Sequence, residues 1–335
     1  MRIFIDESGT FTGYEKPGSL SVCGALVICD SRWPHLRERW LRLRQSLPKE
    51  NGEVKGRLLS EAQVRAVVSL LHKHDALFEV TAVDVGLHSS MDVRKHQEAQ
   101  AAAILRGVGP DHHPNVRGAM EKLHKDLLEM PAQLYLQAVA MFELVPRTFD
   151  LATVYWSQRR PRELARFRWT IDAKDKQGST PWEDWWRLVL LPLLQSKSLR
   201  KPGTMLREGD YSHFKAFLQE VPDYIRPHIA APHDDEAFSL NRVLRDLHFC
   251  SRSDPGLELV DVVTTSVRRA LKGTLKKEGW LSIRALMINR VEGAIQLIGL
   301  NGVESARVRY ADVVTAFGRT GRSLLAARNR KGCDT

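Results

Sequence analysis

Three aspartates lie where predicted secondary-structure elements end or meet, and their side chains could support metal-dependent chemistry. Asp6 follows the apolar run of the opening MRIFID, and Asp172 ends the segment RWTID. Asp261 lies at the border of the apolar arc of a helix predicted to follow a third strand. Burying carboxylates together is costly unless they are paired or bind a cation. Like-charge repulsion raises that cost, so a group of acids at one sheet edge suggests a metal site.

Such a set of acids would suit Mg²⁺ or Mn²⁺, which are hard ions that take oxygen ligands together with water and substrate phosphate. Two such ions about 3.5–4 Å apart can activate a water and stabilise the leaving oxygen in phosphodiester cleavage. The pattern therefore suggests a metal-dependent nuclease. The alternative is chance, because a chain with 40 acidic residues places some at strand ends, and aspartate is common in turns.

The charge balance favours a polyanionic partner. The chain has 335 residues, with 50 lysines and arginines against 40 acidic residues and a formal net charge of +10. A basic surface attracts nucleic acid or an acidic membrane surface. A globular protein that is merely basic is the equally plain alternative.

Cysteine usage and apolar runs indicate the compartment. Cys23, Cys29, Cys250 and Cys333 form no CxxC pair, and no secretory leader precedes them. The densest apolar stretch, LVLLPLL at 188–194, is too short to span a bilayer. These features predict a cytoplasmic protein with reduced thiols and no membrane partner.

The elements that would position the acids alternate between strand and helix. Strands are predicted at 2–7, 19–30, 77–86 and 166–175 and within 244–256, the first two forming a hairpin. Helices are predicted at 61–74, where Ser60 and Gln63 form a capping box, and in a block from 91 to 146 that Pro131 kinks or divides. The pattern predicts an α/β domain over 1–335, with a helical insertion at 86–165 and a basic tail at 319–335.

Four segments resemble the domain-of-unknown-function 3800 family. They are IFIDESGT, GEVKGRLLS, RWTIDAKD and LHFCSRSDPGLELVDVVTTSVRRAL, and they span the chain from residue 1 to about 272. The resemblance implies an RNase H-like fold, that is, a mixed sheet flanked by helices. It also implies an acidic site of Asp6, Glu53, Asp172 and Asp261, with Glu7 as a possible assistant.

The chain departs from the family pattern at two points. Glu258 and Val260 stand where the family tends to have glutamine and alanine, although Asp261 is retained. Glu53 follows only two clear strands, whereas the second acid of an RNase H-like order follows three. The place of Glu53 in the order of elements therefore differs from the one that the resemblance implies.

Several basic residues could contact a scissile phosphate. Lys55 and Lys174 lie beside the proposed acids, and Arg268 shares a helical stripe with Asp261. Charge balance for the carboxylates is the alternative role. The segment 147–168 also interleaves six arginines with four aromatic residues, a pattern that can grip a nucleic-acid strand but equally suits a solvated face beside a core strand.

The leading hypothesis from the sequence is a Mg²⁺- or Mn²⁺-dependent nuclease or phosphodiesterase acting on RNA or DNA. A second hypothesis is a non-catalytic nucleic-acid-binding or regulatory protein on the same scaffold. A third is a metal-dependent hydrolase of a small phosphorylated molecule. The sequence lacks the histidine spacing of a zinc site, a Walker loop and a GxSxG motif. Their absence argues against interpreting the chain as a zinc enzyme, an NTPase or a serine hydrolase.

Overall fold

The computed structural model describes most of the chain in enough detail to place its side chains. The described residues are 1–106, 108–110, 112–173, 181–200, 203, 205–221, 236–290, 293–300, 308–319 and 321–326. They form a mixed β-sheet with helices packed on both faces, which confirms the α/β prediction.

Ten strands are present in the described residues. They are β1 (Arg2–Ser8), β2 (Leu20–Ile28), β3 (Lys49–Glu50), β4 (Glu53–Val54), β5 (Leu77–Asp84), β6 (Arg168–Asp172), β7 (Leu218–Glu220), β8 (Glu236–Phe238), β9 (Leu247–Cys250) and β10 (Ile295–Ile298). Six of them form the main sheet in the order β10-β5-β2-β1-β6-β9. Strands β1, β2 and β5 pair antiparallel, whereas β6 runs parallel to β1 and β9 parallel to β6. The predicted hairpin of β1 and β2 is confirmed, and every residue of β2 is buried.

Eleven α-helices accompany these strands in the described residues. They are α1 (Trp33–Leu43), α2 (Glu61–Lys73), α3 (Ser90–Leu105), α4 (Pro114–Glu129), α5 (Ala132–Ser157), α6 (Pro181–Trp185), α7 (Leu191–Arg200), α8 (Leu240–Val243), α9 (Pro255–Leu271), α10 (Lys277–Trp280) and α11 (Ala311–Gly318). A π-helical turn at Trp186–Leu190 joins α6 to α7.

One face of the sheet is covered by α1, α2 and α9. Apolar residues of these helices form a core with Phe4, Val22 and Phe78 from the sheet. Helix α2 begins with the predicted capping box, in which Ser60 accepts from the backbone N–H of Gln63 and the Gln63 side chain accepts from Ser60. This face is the one that receives the candidate site.

The opposite face is covered by the helices between β5 and β6. Helix α5 packs on β2 and β5, while α3 and α4 pack against each other. The predicted break at Pro131 is confirmed, because α4 ends at Glu129 and α5 begins at Ala132. Glu79 of β5 is buried on the sheet and pairs with Arg147 of α5 at 3.3 Å and with Arg290.

No helix in the described ranges has both the length and the apolar character needed to cross a membrane. The last nine residues of the predicted basic tail, 327–335, lie outside the described residues, as does Cys333. Cys23, Cys29 and Cys250 are free thiols.

Candidate functional site

Asp6 and Asp172 are brought together by the parallel pairing of β1 and β6. The register places Ile5 opposite Ile171, so the next residue of each strand is one of the two aspartates. Side chains alternate along a strand, so Asp6 lies on the same face as Phe4, and Phe4 packs against α9. The two carboxylates therefore lie side by side at the carboxyl end of the strands, beneath α9.

Helix α9 carries Asp261 close to the sheet because one sheet residue has no side chain. Gly24 pairs with Asp6 across the β1–β2 ladder. A Cβ atom at Gly24 would lie 2.1 Å from Thr264 Oγ1 of α9. This absence of a side chain lets the helix backbone approach the strands more closely than any larger residue would permit.

Two groups outside the acidic set donate hydrogen bonds to the carboxylate of Asp261. The backbone N–H of Gly56 donates to Oδ2 at 2.8 Å, and the Thr265 hydroxyl donates to Oδ1 at 3.1 Å. Arg269 of α9 donates to the carbonyl oxygen of Gly56 at 3.0 Å. A Cβ atom at position 56 would lie 2.8 Å from the Cα atom of Val262. Side chains of α9 thus form hydrogen bonds with both the N–H and the carbonyl oxygen of Gly56.

The segment that contains Gly56 also brings Glu53 and Lys55 to the carboxylates. Both residues line one small cavity with Asp6, Asp172 and Asp261. The ammonium of Lys55 lies 2.7 Å from Glu53 Oε2. The cavity has about 20 Å³ of free space, slightly more than the ~10–15 Å³ that one water needs. The carboxylates therefore enclose room for one species the size of a water molecule.

Crowding changes the acidity of these groups. Burial raises the pKa of Asp172 from 3.8 to about 6, and the negative charges of Glu53 and Asp261 add to this rise while Lys55 opposes it. Burial also raises the pKa of Asp261, although Gly56, Lys55, Thr265 and a hydrogen bond with Asp6 oppose the rise. Two carboxyl groups that share a hydrogen bond hold a proton between them. Ionisation of Asp172 and Asp261 is therefore less favourable in this cluster than in water.

The pKa of Lys55 responds to the same cluster. Burial acts to lower it, but hydrogen bonding to Glu53 and the charges of Glu53, Asp261 and Asp6 outweigh burial, so the pKa is raised. Lys55 is thus a firmly charged cation among the acids, where it relieves part of their mutual repulsion.

The donor set suits a hard divalent cation in its chemistry. Every acidic side chain offers carboxylate oxygens, the ligands that Mg²⁺ and Mn²⁺ prefer. A bound cation would favour the ionised forms of Asp172 and Asp261, whose pKa values burial raises. In the side-chain positions of the described residues, no group of three or more histidines, cysteines, aspartates or glutamates is arranged to hold a metal ion. The acids instead pair with one another and with Lys55.

Two other residues predicted for the site do not line this cavity. Arg268 donates from Nε to the carbonyl oxygen of Leu20 at 2.7 Å, so it ties α9 to β2 rather than facing the acids. Glu7 is absent from the cavity wall because neighbouring residues of a strand face opposite sides. Lys174 lies outside the described residues.

The cavity also contains residues that the sequence analysis did not select. Arg252, Asp254, Leu257 and Glu258 complete its lining. Arg252 is exposed, and its guanidinium forms no ion pair with another described residue. Asp254 caps α9 by accepting from the backbone N–H groups of Gly256 and Leu257 at 2.7 and 3.3 Å.

Glu258 joins three separate elements to α9. It is 5% exposed and accepts hydrogen bonds from Trp40 Nε1 at 2.9 Å, Arg44 Nη2 at 2.5 Å and the backbone N–H of Val54 at 3.2 Å. Val54 lies between Glu53 and Lys55, so this contact fixes the loop that delivers both residues. The glutamate at the position where the resemblance leads one to expect glutamine therefore has a positioning role.

The aromatic residues of segment 147–168 are not available for stacking on a nucleic acid. Phe149, Tyr155, Trp156 and Phe167 are all buried in the core formed with α5. The interpretation of this segment as a strand-gripping surface is wrong for the aromatics. Residues 152–157 of α5 and 169–171 of β6 are buried without a break, so these aromatics belong to the core.

Comparison with known proteins finds no match of any kind. No family model matches the chain, and no curated protein or solved structure is similar to it at the level required for significance. The resemblance to the domain-of-unknown-function 3800 family therefore stays a prediction.

Proposed function

We propose that the protein is a Mg²⁺- or Mn²⁺-dependent nuclease or phosphodiesterase of RNase H-like type that acts on nucleic acid. The observation that carries the proposal is the convergence of Asp6, Glu53, Asp172 and Asp261 on one cavity. These acids come from segments up to 255 residues apart in the sequence. Proteins rarely gather buried carboxylates without pairing them or placing a cation among them.

The architecture supports the RNase H-like part of the proposal. The sheet is mixed, with β1, β2 and β5 antiparallel and β6 and β9 parallel to β1. The acids lie at the carboxyl ends of β1 and β6, below a helix that follows β9. Ligand sites of α/β sheets commonly lie at this edge.

The four acids would hold the divalent cation. A bound cation of this kind supplies Lewis acidity, activating a water and stabilising a leaving oxygen. Gly56 and Thr265 hold the Asp261 carboxylate in a fixed orientation. Lys55 and Arg252 provide positive charge at the cavity wall for a phosphate of the substrate.

Cleavage of labelled RNA and DNA tests the proposal. The wild type is incubated with each substrate in Mg²⁺, in Mn²⁺ and in EDTA, beside Asp6→Asn and a control, Asp126→Asn. Asp126 lies on α4, where it pairs with Lys122 at 2.6 Å, far from the cavity lining. We expect metal-dependent product from the wild type and the control but not from Asp6→Asn. Equal product from wild type and Asp6→Asn contradicts a catalytic role for the cluster.

One observation favours a second candidate, a non-catalytic nucleic-acid-binding or regulatory protein. Lys55 already provides a cation within the cluster, and among the described residues no side-chain group is arranged for a metal. This candidate predicts salt-dependent binding of nucleic acid without turnover. It also predicts no Mn²⁺ binding in a titration followed by calorimetry, which separates it from the nuclease.

A further inference from the structure

A second and larger cavity lies on the other face of the sheet. It has a volume of about 380 Å³ and is enclosed by α3, α4 and α5, by the segment from α6 to α7, and by the edge strand β10. It shares no lining residue with the acidic cavity. Its volume lies within the ~300–1,000 Å³ typical of small-molecule sites.

Most of the wall is apolar. Phe142 and Leu127 line one part of the cavity, and Trp185, Leu190 and Leu193 line another. Helix α5 adds Val139, which is partly exposed. Walls of this kind favour an occupant that removes apolar surface from water, because that burial contributes about 25 cal/mol per Å².

One hydrogen-bond donor at the wall has a defined orientation. The Tyr135 hydroxyl lies 2.6 Å from His96 Nδ1. Burial raises the pKa of Tyr135, so the phenol keeps its proton, and burial together with His88 lowers the pKa of His96, so the imidazole is neutral. We assign the phenol as the donor and Nδ1 as the acceptor, which leaves the proton of the neutral ring on Nε2. His96 therefore offers an N–H donor to the cavity it lines.

The charges at the wall are compensated. Glu143 accepts from Lys197 Nζ at 2.7 Å, and the same ammonium lies 4.3 Å from the ring centroid of Phe142. Gln296 accepts from Arg147 at 3.0 Å. An ionic ligand would find no unpaired opposite charge among the described lining residues, so its desolvation would go uncompensated.

We propose that this cavity binds an uncharged, mainly aromatic or aliphatic small molecule that carries a hydrogen-bond acceptor for His96 Nε2–H. The size of the cavity, its apolar wall, the donor assigned to His96 and the absence of unpaired charge among the described lining residues each point to this class. The inference does not depend on the proposed nuclease activity, since the two cavities share no residue.

Binding of Nile red tests the inference, because this dye is neutral, planar and carries a carbonyl acceptor. Val139→Trp and Leu193→Trp place an indole in the cavity from two different helices. The control Val116→Trp makes the same change on α4 at a residue that is 44% exposed and does not line the cavity. Circular dichroism and thermal unfolding establish that each variant is folded.

We expect saturable, one-to-one binding with blue-shifted emission for the wild type and for Val116→Trp. Either cavity-filling variant should weaken the affinity at least tenfold. His96→Phe keeps a ring but removes the donor, and it should weaken the affinity about fivefold, as loss of one hydrogen bond of ~1 kcal/mol predicts. The inference is overturned if the wild type shows no saturable binding, or if a folded cavity-filling variant binds as tightly as the wild type.

Discussion

The substitution Asp172→Asn should stabilise the metal-free protein while it damages the proposed site. Burial and the neighbouring acids raise the pKa of Asp172 from 3.8 to about 6. At ~1.36 kcal/mol for each pH unit, this rise corresponds to about 3 kcal/mol of disfavoured ionisation. Asp172 is only partly buried, so solvent screening reduces the figure to about 1–2 kcal/mol. Asparagine keeps the shape of the side chain and removes the charge.

The sign of the effect fixes its pH dependence. The pKa of Asp172 in the folded state lies above its unfolded value, so the folded protein binds more protons between these two values. The unfavourable charge is therefore fully present above about pH 6 and disappears as the pH falls toward 3.8. Asp172→Asn should raise the free energy of unfolding by about 1–2 kcal/mol at pH 8, and by much less near pH 4.

Urea unfolding in EDTA at a series of pH values measures this difference. Asp126→Asn, on an exposed pair, is the control and should change the free energy of unfolding by less than about 0.5 kcal/mol at any pH. Added Mg²⁺ or Mn²⁺ should stabilise the wild type more than Asp172→Asn, because binding to the folded state adds to stability. If Asp172→Asn destabilises the EDTA-treated protein at pH 8, burial and the neighbouring acids do not disfavour the charge of Asp172.

Three further substitutions and one control test other contacts. Arg252→Ala should raise KM for nucleic acid about tenfold without changing the free energy of unfolding, because its guanidinium forms no ion pair with a described residue; an unchanged KM argues against a phosphate contact. Glu258→Gln should lower the free energy of unfolding by about 2–4 kcal/mol, since Arg44 loses the charge of its buried partner. An unchanged urea midpoint contradicts a positioning role for Glu258. Glu79→Gln should lower the free energy of unfolding by about 3 kcal/mol because two arginines lose that charge, whereas Arg57→Ala, on an exposed pair, should cost less than about 1 kcal/mol in the same assay.

The positions of Asp6 and Asp172 could be predicted because strands give a strong local signal. An apolar run that ends in an acid places that acid at the edge of the sheet, and parallel pairing brings two such edges together. Asp261 was also predictable in part, since helical periodicity puts it at the border of the apolar arc. In each case the information lies within a few residues of the aspartate.

The contacts of Glu258 and Arg268 could not be predicted in this way. Glu258 contacts Trp40, Arg44 and Val54, which are more than 200 residues away in the sequence. Arg268 does share a helical stripe with Asp261, but periodicity does not reveal that the carbonyl oxygen of Leu20 lies within its reach. Such long-range contacts depend on the position that α9 takes on the sheet. No local sequence pattern encodes that position.

The hydrogen bond from Gly56 to Asp261 has a consequence for how the site can vary. Its donor belongs to the main chain, so among the exchanges at position 56 only proline deletes the donor itself. The neighbouring α9 backbone nevertheless leaves no room for even a methyl group there. For every residue except proline, tolerance at this position is therefore governed by volume, and a library randomised at codon 56 should return glycine almost exclusively among folded clones.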